Sequence, residues 1–399
     1  MTLNEANNGA LSDIRVIEMG QLIAGPFCGQ LLGDMGADVV KIEAPGEGDP
    51  MRGWGQGLPV TWEVIARNKK SLSLNLRGEE GQAIARRLIA QSDILIENFR
   101  PGTLERWNMA PEKLVVENPR LIVVRISGYG QSGPYSDRAG FGSVGEAMGG
   151  WRHLVGDPDR PPSRMGISIG DSLAATYGCL GALAALHNRH RTGRGQLVDC
   201  ALYEAVLQVM EGLIPEYTVG NAIRGRSGSI LPGVAPSNVY PCIDGDFLIA
   251  ANQDSVFRRL CMAMGNPKIA DDARFATHKA RGENQIELDE IISVWTRTLS
   301  VTEIEALMAR NGIPAGKIFK ASDMLADPHF RARDAIIEVE HPRWRNLRMQ
   351  NTFPRLSETP GSVRSIAPQT VGEHTKSILS TWLGVGENEL ADLRRRGVV

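Results

Sequence analysis

The sequence predicts an α/β protein. A large domain carries a parallel β-sheet and is built from both chain ends, and a smaller α+β domain is inserted between them. Three observations carry this expectation. Through residue 127, short apolar strands alternate with amphipathic helices, the pattern of βαβ units whose sheet is covered on both faces. Near residue 221 the composition shifts, because "NAIRGRSGSILPGVAPSN" is rich in Gly, Ser and Pro. Strand and helix patterns return from residue 335 in "AIIEVEHP" and "GEHTKSILSTWLG". The expected divisions are 1–222 and 335–399 for the two parts of the large domain, with 223–334 as the small domain.

In chain order, "IRVIEM" (14–19) reads as the first strand, "PFCGQLLGDMG" (26–36) as a helix ended by glycine, and "ADVVKIEA" (37–44) as the second strand. Strand "SLSLNL" (71–76), helix "EEGQAIARRLIAQS" (79–92) and strand "DILIENF" (93–99) continue the alternation. A helix around "GTLERW" (102–107) and strand "RLIVVRIS" (120–127) complete it. The first βα turn, "MGQLIAGP", lacks the G-x-G-x-x-G that lets a pyrophosphate approach a helix N-terminus, so a nucleotide-dependent oxidoreductase loses its main support. Residues 172–190 form a helix whose repeated Ala and Gly permit close packing. His187, Arg189, His190 and Arg191 gather at its C-terminal end, where cations are favoured, and Gly193 and Gly195 follow. Strand "QLVDCAL" (196–202) and helix "YEAVLQVMEGLIPEY" (203–217) come next. In the inserted region, "VYPCIDGDFLIAA" reads as a hairpin turning at Asp244-Gly245, with two or three polar helices from 254 to about 326.

Bulk properties exclude several function classes. The formal net charge of −2 on 399 residues gives no global basic field for nucleic acid. Five widely spaced cysteines, with no C-x-x-C pair, read as reduced thiols and not as disulfides or a metal site. The polar start "MTLNEANNGALSD" lacks the form of a signal peptide, and the apolar runs are broken by Gly, His or charge short of a membrane span. A cytoplasmic globular protein without a membrane partner is expected. The seven histidines are dispersed and none is paired at i,i+4 with Glu in a zinc motif, so any chemistry rests on carboxylates.

Two features are candidates for that chemistry. Asp171, in "GISIGDSLAA", precedes the small-residue helix. It reads as the cap of that helix or as a carboxylate nucleophile, which is ionised at neutral pH without an adjacent base. The loops "AGPF", "KIEAPGEGDPMRGWG", "RNKKSLSLNLR", "ENFRPGTLER" and "SGYGQSGPYSDRAG" lie near predicted strand C-termini, where open α/β sheets bind ligands. They draw Arg52, Arg67, Lys69, Lys70, Arg77, Arg106 and Arg138 toward one edge, an arrangement suited to a polyphosphate. Scattered surface charge is the competing reading.

Taken together, "IRVIEMGQLIAGPF", "ADVVKIEAPGEGD", "RNKKSLSLNLR", "ENFRPG", "SGYGQSGP", "GDS…RTGRGQ", "NGIPAGKIFKASDMLADPHFRAR" and "GEHT" resemble the class III coenzyme A transferases, the CaiB/BaiF family that includes formyl-CoA transferases. The resemblance covers essentially the whole chain. It implies a Rossmann-like large domain, a small domain reached through two linkers, and an interlocked homodimer. It places the catalytic role on Asp171 and CoA contacts on Leu74, Arg77, Asn98, Phe99, Arg106 and Arg138. Phe99 would pack near the adenine or pantetheine, and the arginines would meet phosphates. The substrates implied are an acyl-CoA thioester and a carboxylic acid, with no permanently bound cofactor and no metal. "RPPSRMGISIGDSLAA" and "GSILPGVAPSNVYP" look like the branch that takes succinyl-CoA as donor and a dicarboxylate as acceptor; Arg164, Arg224 and Arg226 are candidates to engage the second carboxylate, with exposed loop arginines as the competing reading.

This chain departs from the formyl-CoA branch at two places. Ala44 stands where those enzymes carry arginine after K-I-E, and "GRSGSILPGVAPS" replaces their four-glycine loop. An α-methylacyl-CoA racemase is the alternative reading. Those enzymes use a histidine in G-H-D, where this chain has Phe141-Gly142, and phenylalanine exchanges no proton.

Overall fold

The structure is a computed structural model that describes residues 8–55 and 57–399, so the first seven residues of the polar N-terminal stretch lie outside the described residues. Its contacts divide the chain into two units. The larger runs to Trp151 and includes Met165–Pro215 and Arg331–Val399; the smaller comprises Arg152–Arg164 and Glu216–Phe330.

The larger unit holds a six-stranded parallel sheet of β1 (Arg15–Glu18), β2 (Asp38–Glu43), β3 (Lys69–Ser73), β4 (Ile94–Glu97), β5 (Ile122–Ser127) and β6 (Leu197–Ala201). The order β3-β2-β1-β4-β5-β6 is that of a Rossmann-like doubly wound sheet, with its switch point between β1 and β4. Alternate strand residues supply two cores, which is why the strands read as continuous apolar runs. Ile17, Val40, Leu72, Leu95 and Val123 pack with the helices Glu79–Ile89 and Thr375–Leu383. Val16, Val39, Ile94, Val124 and Ile126 pack with Ala24–Asp34 and Ile169–Thr192.

The Ile169–Thr192 helix buries Ala174, Ala175, Cys179, Ala182 and Ala185, so its small residues let it lie close to the sheet. Among the described residues it is the one helix long and apolar enough by composition to cross a membrane. Its packing on β5, β6 and the Ala24–Asp34 helix is that of a core helix.

The smaller unit contains an antiparallel sheet of β7 (Ser237–Pro241), β8 (Asp246–Ala250) and β9 (Ala315–Lys317), backed by helices around Tyr240, Phe247, Phe257, Phe275 and Ile292. Residues 152–164, which the sequence reading carried in the large domain, group with this unit. Gly228 N donates to Gly156 O at 3.1 Å, and the Arg226 guanidinium donates to Asp157 O at 3.0 Å and Pro158 O at 3.2 Å. These bonds to a distant loop carry no local sequence signal.

Other differences are local. The helix expected over 203–217 is two, Leu202–Leu207 and Leu213–Gly220, separated by a stretch in which Glu211 is left-handed at φ 51°. "AIIEVEHP" forms β10 (Ile336–Val339), which pairs with β11 (Leu347–Gln350) in a sheet of its own. The strand expected at 71–76 begins at Lys69, a shift that bears on the basic cluster.

Candidate active site

Asp171 stands in the first turn of the Ile169–Thr192 helix, and Ser168 occupies the cap position. The expectation that Asp171 caps a helix starting at 172 is therefore corrected. Gly170 extends the helix backwards, and a β-carbon there would lie 2.9 Å from Gly142 O, so only glycine allows this approach. The Asp171 carboxylate rests against Gly142, the first residue of the helix Gly142–Met148. A β-carbon built on Gly142 would fall 2.2 Å from Asp171 Oδ2 and 2.7 Å from Cγ. The loop leading to Gly142 is held to the end of β5 by the close contact of Gly128 with Gly140. The carboxylate thus stands near the C-terminal end of β5, partly exposed, at a helix N-terminus whose dipole favours its anion.

A cavity of about 490 Å³ opens at the C-terminal ends of β1 to β4, the region where doubly wound sheets take ligands. Met19 and Gln21 follow β1, Ala44 and Glu47 follow β2, and Leu74 and Arg77 follow β3. Phe99 and Trp107 come from the segment after β4, and Gly397 from the far end of the chain. Phe99 and Trp107 meet edge to face, with ring centroids 5.1 Å apart. The Arg77 side chain is 81% exposed, with one nitrogen 3.8 Å from Glu47, and is available to an anion.

Three of the six expected CoA-contact residues, Leu74, Arg77 and Phe99, line this cavity, while Asn98, Arg106 and Arg138 lie outside its lining. Both polar atoms of the Asn98 amide engage the backbone of Gln21, at 2.8 and 2.9 Å, so Asn98 fixes a cavity-lining residue. The Arg106 guanidinium donates to Thr103 Oγ1 at 2.9 Å. The Arg138 guanidinium stacks on Tyr135, 3.6 Å from the ring centroid.

The expected basic edge contains fewer phosphate donors than the sequence suggested. Lys69 is buried against Glu18 at 2.7 Å, Arg67 is buried against Asp34 at 2.6 Å, and Lys70 pairs with Asp38 at 2.7 Å. Arg52 chelates Glu43 at 2.7 and 2.8 Å. Lys69 and Lys70 open β3 at the end opposite the cavity, which the earlier strand start explains. Arg224 is likewise bound to Glu216, and Arg226 to the carbonyls named above.

The sequence reading missed what holds the cavity loops. Lys41, on β2 and 1% exposed, reaches Glu18 at 2.8 Å, Asp49 at 2.7 Å and Gly20 O at 2.8 Å. Asp49 in turn accepts from Leu22 N and Met51 N, while Glu43 accepts from Asp49 N. One buried lysine thereby ties the turn after β1 to the loop after β2. Burial pulls its ammonium down, but Glu18, Asp49 and Glu43 together hold it above the ordinary lysine range. Burial also opposes ionisation of Glu43 and Asp49, yet Arg52 beside Glu43 and Lys41 beside Asp49 hold both carboxyls below their ordinary values. The signal available was acidic and basic residues at strand positions that face a core, "VIE", "VKIE" and "KKS".

The family profile described as CoA-transferase family III matches residues 11–375. A succinyl-CoA–D-citramalate CoA-transferase of Chloroflexus aurantiacus is 54% identical over 98% of both chains. The β subunit of a succinyl-CoA–L-malate CoA-transferase from the same organism is 40% identical, again over 98% of each. A solved structure of a CaiB/BaiF family protein from Brucella suis superposes with a TM-score of 0.84 at 34% identity, covering 94% of this chain and all of that one.

Proposed function

The chain belongs to CoA-transferase family III, and from that membership we propose that it moves coenzyme A from succinyl-CoA to a small dicarboxylate through covalent intermediates on Asp171. The observation that carries the mechanistic part is the Asp171 carboxylate, partly exposed and packed on Gly142 beside the C-terminal end of β5, along the same sheet edge as the cavity.

In this mechanism an Asp171 oxygen attacks the thioester carbonyl, the C–S bond breaks, and CoA leaves as thiolate. The product is a succinyl–aspartyl anhydride. The thiolate then attacks the aspartyl carbonyl, which frees succinate and leaves an aspartyl-CoA thioester. The acceptor carboxylate attacks that thioester and expels the thiolate again, forming a second anhydride. Thiolate attack on the acceptor's acyl carbon releases the new CoA ester and returns Asp171 to its carboxylate. Each carbonyl attack develops an oxyanion, and first-turn amides of the Ile169–Thr192 helix suit its stabilisation. Anhydrides survive only where water is excluded.

Arg77 at the cavity rim, with Arg106 and Arg138 on neighbouring loops, supplies cations for the CoA phosphates in this reading. The dicarboxylate acceptor is inferred from the activities that the relatives' names state. Homodimerisation belongs to the same proposal. Phe141, Met148, Ile167 and Leu180 are exposed apolar side chains on the two helices around Asp171 and the segment entering them, the kind of surface that association covers. The free state of all five cysteines accords with a cytoplasmic location.

The test is succinyl-CoA transfer across a panel of mono- and dicarboxylic acids, read by mass spectrometry. New CoA esters of dicarboxylates alone support the assignment, and transfer confined to monocarboxylates contradicts it. Sedimentation of the same preparation checks the dimer.

A further inference from the structure

We propose that His374 is a positioning residue that works as a proton-sensitive latch. Neutral, it fastens the segment Pro368–Thr375 to the outer edge of β3; protonated, it releases that edge and the cavity wall behind it. The effect on CoA-ester turnover rests on the CoA-transferase reading, and His374 itself lies outside the cavity lining. No step of the transfer uses the motif "GEHT" (372–375) that contains it.

β3 is an edge strand, so its outer N–H and C=O groups need partners other than a further strand. The returning segment supplies them. Ser71 N donates to His374 Nδ1 at 3.3 Å, and His374 N donates to Ser71 O at 2.9 Å, so one residue pairs both backbone groups of Ser71. Two residues on, Ser73 N donates to Thr375 Oγ1 at 3.0 Å. Gly372 takes φ +72°, and a β-carbon there would lie 2.6 Å from Ser73 Cβ, so only glycine lets the segment come this close. A backbone N–H can donate only to an unprotonated nitrogen, which assigns the ring proton to Nε2. In the imidazolium both nitrogens carry hydrogen, and Nδ1–H would then face Ser71 N–H. Protonation replaces the bond by a clash of donors.

The latch reaches the cavity through Ser71 and Glu43. Gly372 N donates to Ser71 Oγ at 2.8 Å, and Ser71 Oγ donates to Glu43 Oε2. Glu43 ends β2 and lines the cavity, and its backbone oxygen accepts from Leu74 N, of the opposite wall, at 2.9 Å. Arg52, which chelates Glu43, donates to Pro368 O at 3.0 Å and to Thr370 O at 3.3 Å. Both ends of the segment therefore bear on Glu43, one through Arg52 and the other through Ser71. Where the segment sits decides where that wall stands.

The charges around the imidazole are few. Lys70 faces it from β3, where it pairs with Asp38 at 2.7 Å. Glu373 lies beside it on its own segment and accepts from Gln369 N at 2.6 Å. Glu43 stands behind the Ser71 hydroxyl, and on the following helix Lys376 pairs with Glu387 at 2.5 Å. Burial opposes the imidazolium, Glu373 favours it and Lys70 opposes it, and the balance holds His374 below the ordinary histidine range. The folded protein thus binds fewer protons here than the unfolded chain. The latch's contribution to stability is complete above the unfolded value near ~6.5 and is lost as pH falls through the lower folded value.

The experiment measures KM for succinyl-CoA, kcat and melting temperature from about pH 8 to about pH 5.5 for wild type, His374→Asn, His374→Gln and His374→Ala. Asparagine puts an amide oxygen near the place of Nδ1 and does not titrate, whereas glutamine reaches to the place of Nε2. At the upper pH, His374→Asn should keep KM within about twofold of wild type. His374→Gln and His374→Ala should raise it roughly tenfold with little change in kcat, the consequence of leaving Ser71 N–H unpaired. The ratio of wild-type KM to His374→Asn KM, in which titration of the CoA phosphates cancels, should climb from about one to roughly tenfold as pH falls below ~6.5. Wild type should lose melting temperature relative to His374→Asn over the same range.

A KM ratio that stays constant with pH overturns the latch. A lowered melting temperature in His374→Ala with wild-type KM overturns it too, since it marks a merely structural contact. Wild-type protein that transfers no CoA at any pH overturns the CoA-transferase reading instead. The pH-dependent gap in melting temperature between wild type and His374→Asn then still decides the latch, and its absence would refute it.

Discussion

Replacing Gly142 by alanine tests the placement of Asp171 without touching Asp171 itself. The added methyl would fall 2.2 Å from Oδ2, whereas ordinary contact begins at 3.4 Å, so the carboxylate must retreat by 3.4 − 2.2 = 1.2 Å. Gly142 has no positive φ, so alanine fits its backbone, and the obstructing atoms are the tip of a side chain that can turn. The fold should survive with a melting temperature near that of wild type. The reaction should not. Displacing a reacting group by about 1 Å costs on the order of 100-fold in rate, equivalent to about 2.7 kcal/mol of transition-state stabilisation. The assay is steady-state transfer from succinyl-CoA to the preferred dicarboxylate, with thermal unfolding of the same preparations. A fall in kcat of about 100-fold with a nearly unchanged KM for succinyl-CoA is expected, because Gly142 does not line the cavity. Folded G142A protein turning over within twofold of wild type would refute the claim that this carboxylate position is the working one.

Arg106→Ala should raise KM for succinyl-CoA with little change in stability, since its side-chain bond is a local one to Thr103 in the same turn; unchanged affinity would remove it from phosphate binding. Lys41→Met should destabilise the larger unit by about 3–5 kcal/mol in urea unfolding, the usual consequence of removing one partner from buried charges; a loss below about 1 kcal/mol would show the network to be dispensable. The carboxyls of Glu43 and Asp49 are held below their ordinary values in the folded protein, so their contribution to stability is complete above the unfolded carboxyl range near ~4 and fades as pH falls through the lower folded values. Urea unfolding from pH 7 to 2 should show that loss, and Glu43→Gln should flatten it; an unaltered pH profile in the variant would exclude Glu43.

The strands were legible because a doubly covered parallel sheet demands continuous apolar runs, as in "RVIE" and "IVVRIS". Strand order was not legible, since nothing local in β1 or β4 tells them to lie side by side. Charged residues within strands misled the reading most. Lys69 looks like a loop cation in "RNKKSLSLNLR", yet it turns inward to Glu18, which is two strands away in sequence order and completely buried. A buried ion pair is recognisable only when both partners are placed, and sequence supplies them one at a time. Trp107 illustrates the converse, because "ERW" reads as a helix end and acquires meaning only beside Phe99 and Gly397. Asp171 was found through motif resemblance, while its contact with Gly142 depended on a tertiary approach between two helix starts.

The covalent role of Asp171 is the claim on which the account turns. Incubation with succinyl-CoA, quenching with hydroxylamine and peptide mass spectrometry address it directly, because hydroxylamine converts an activated aspartyl carbonyl to a hydroxamate. A hydroxamate on Asp171, dependent on succinyl-CoA, is expected, and Asp171→Ala should be folded, unlabelled and inactive. Transfer at the wild-type rate by Asp171→Ala, or a hydroxamate on a different carboxylate, would contradict it.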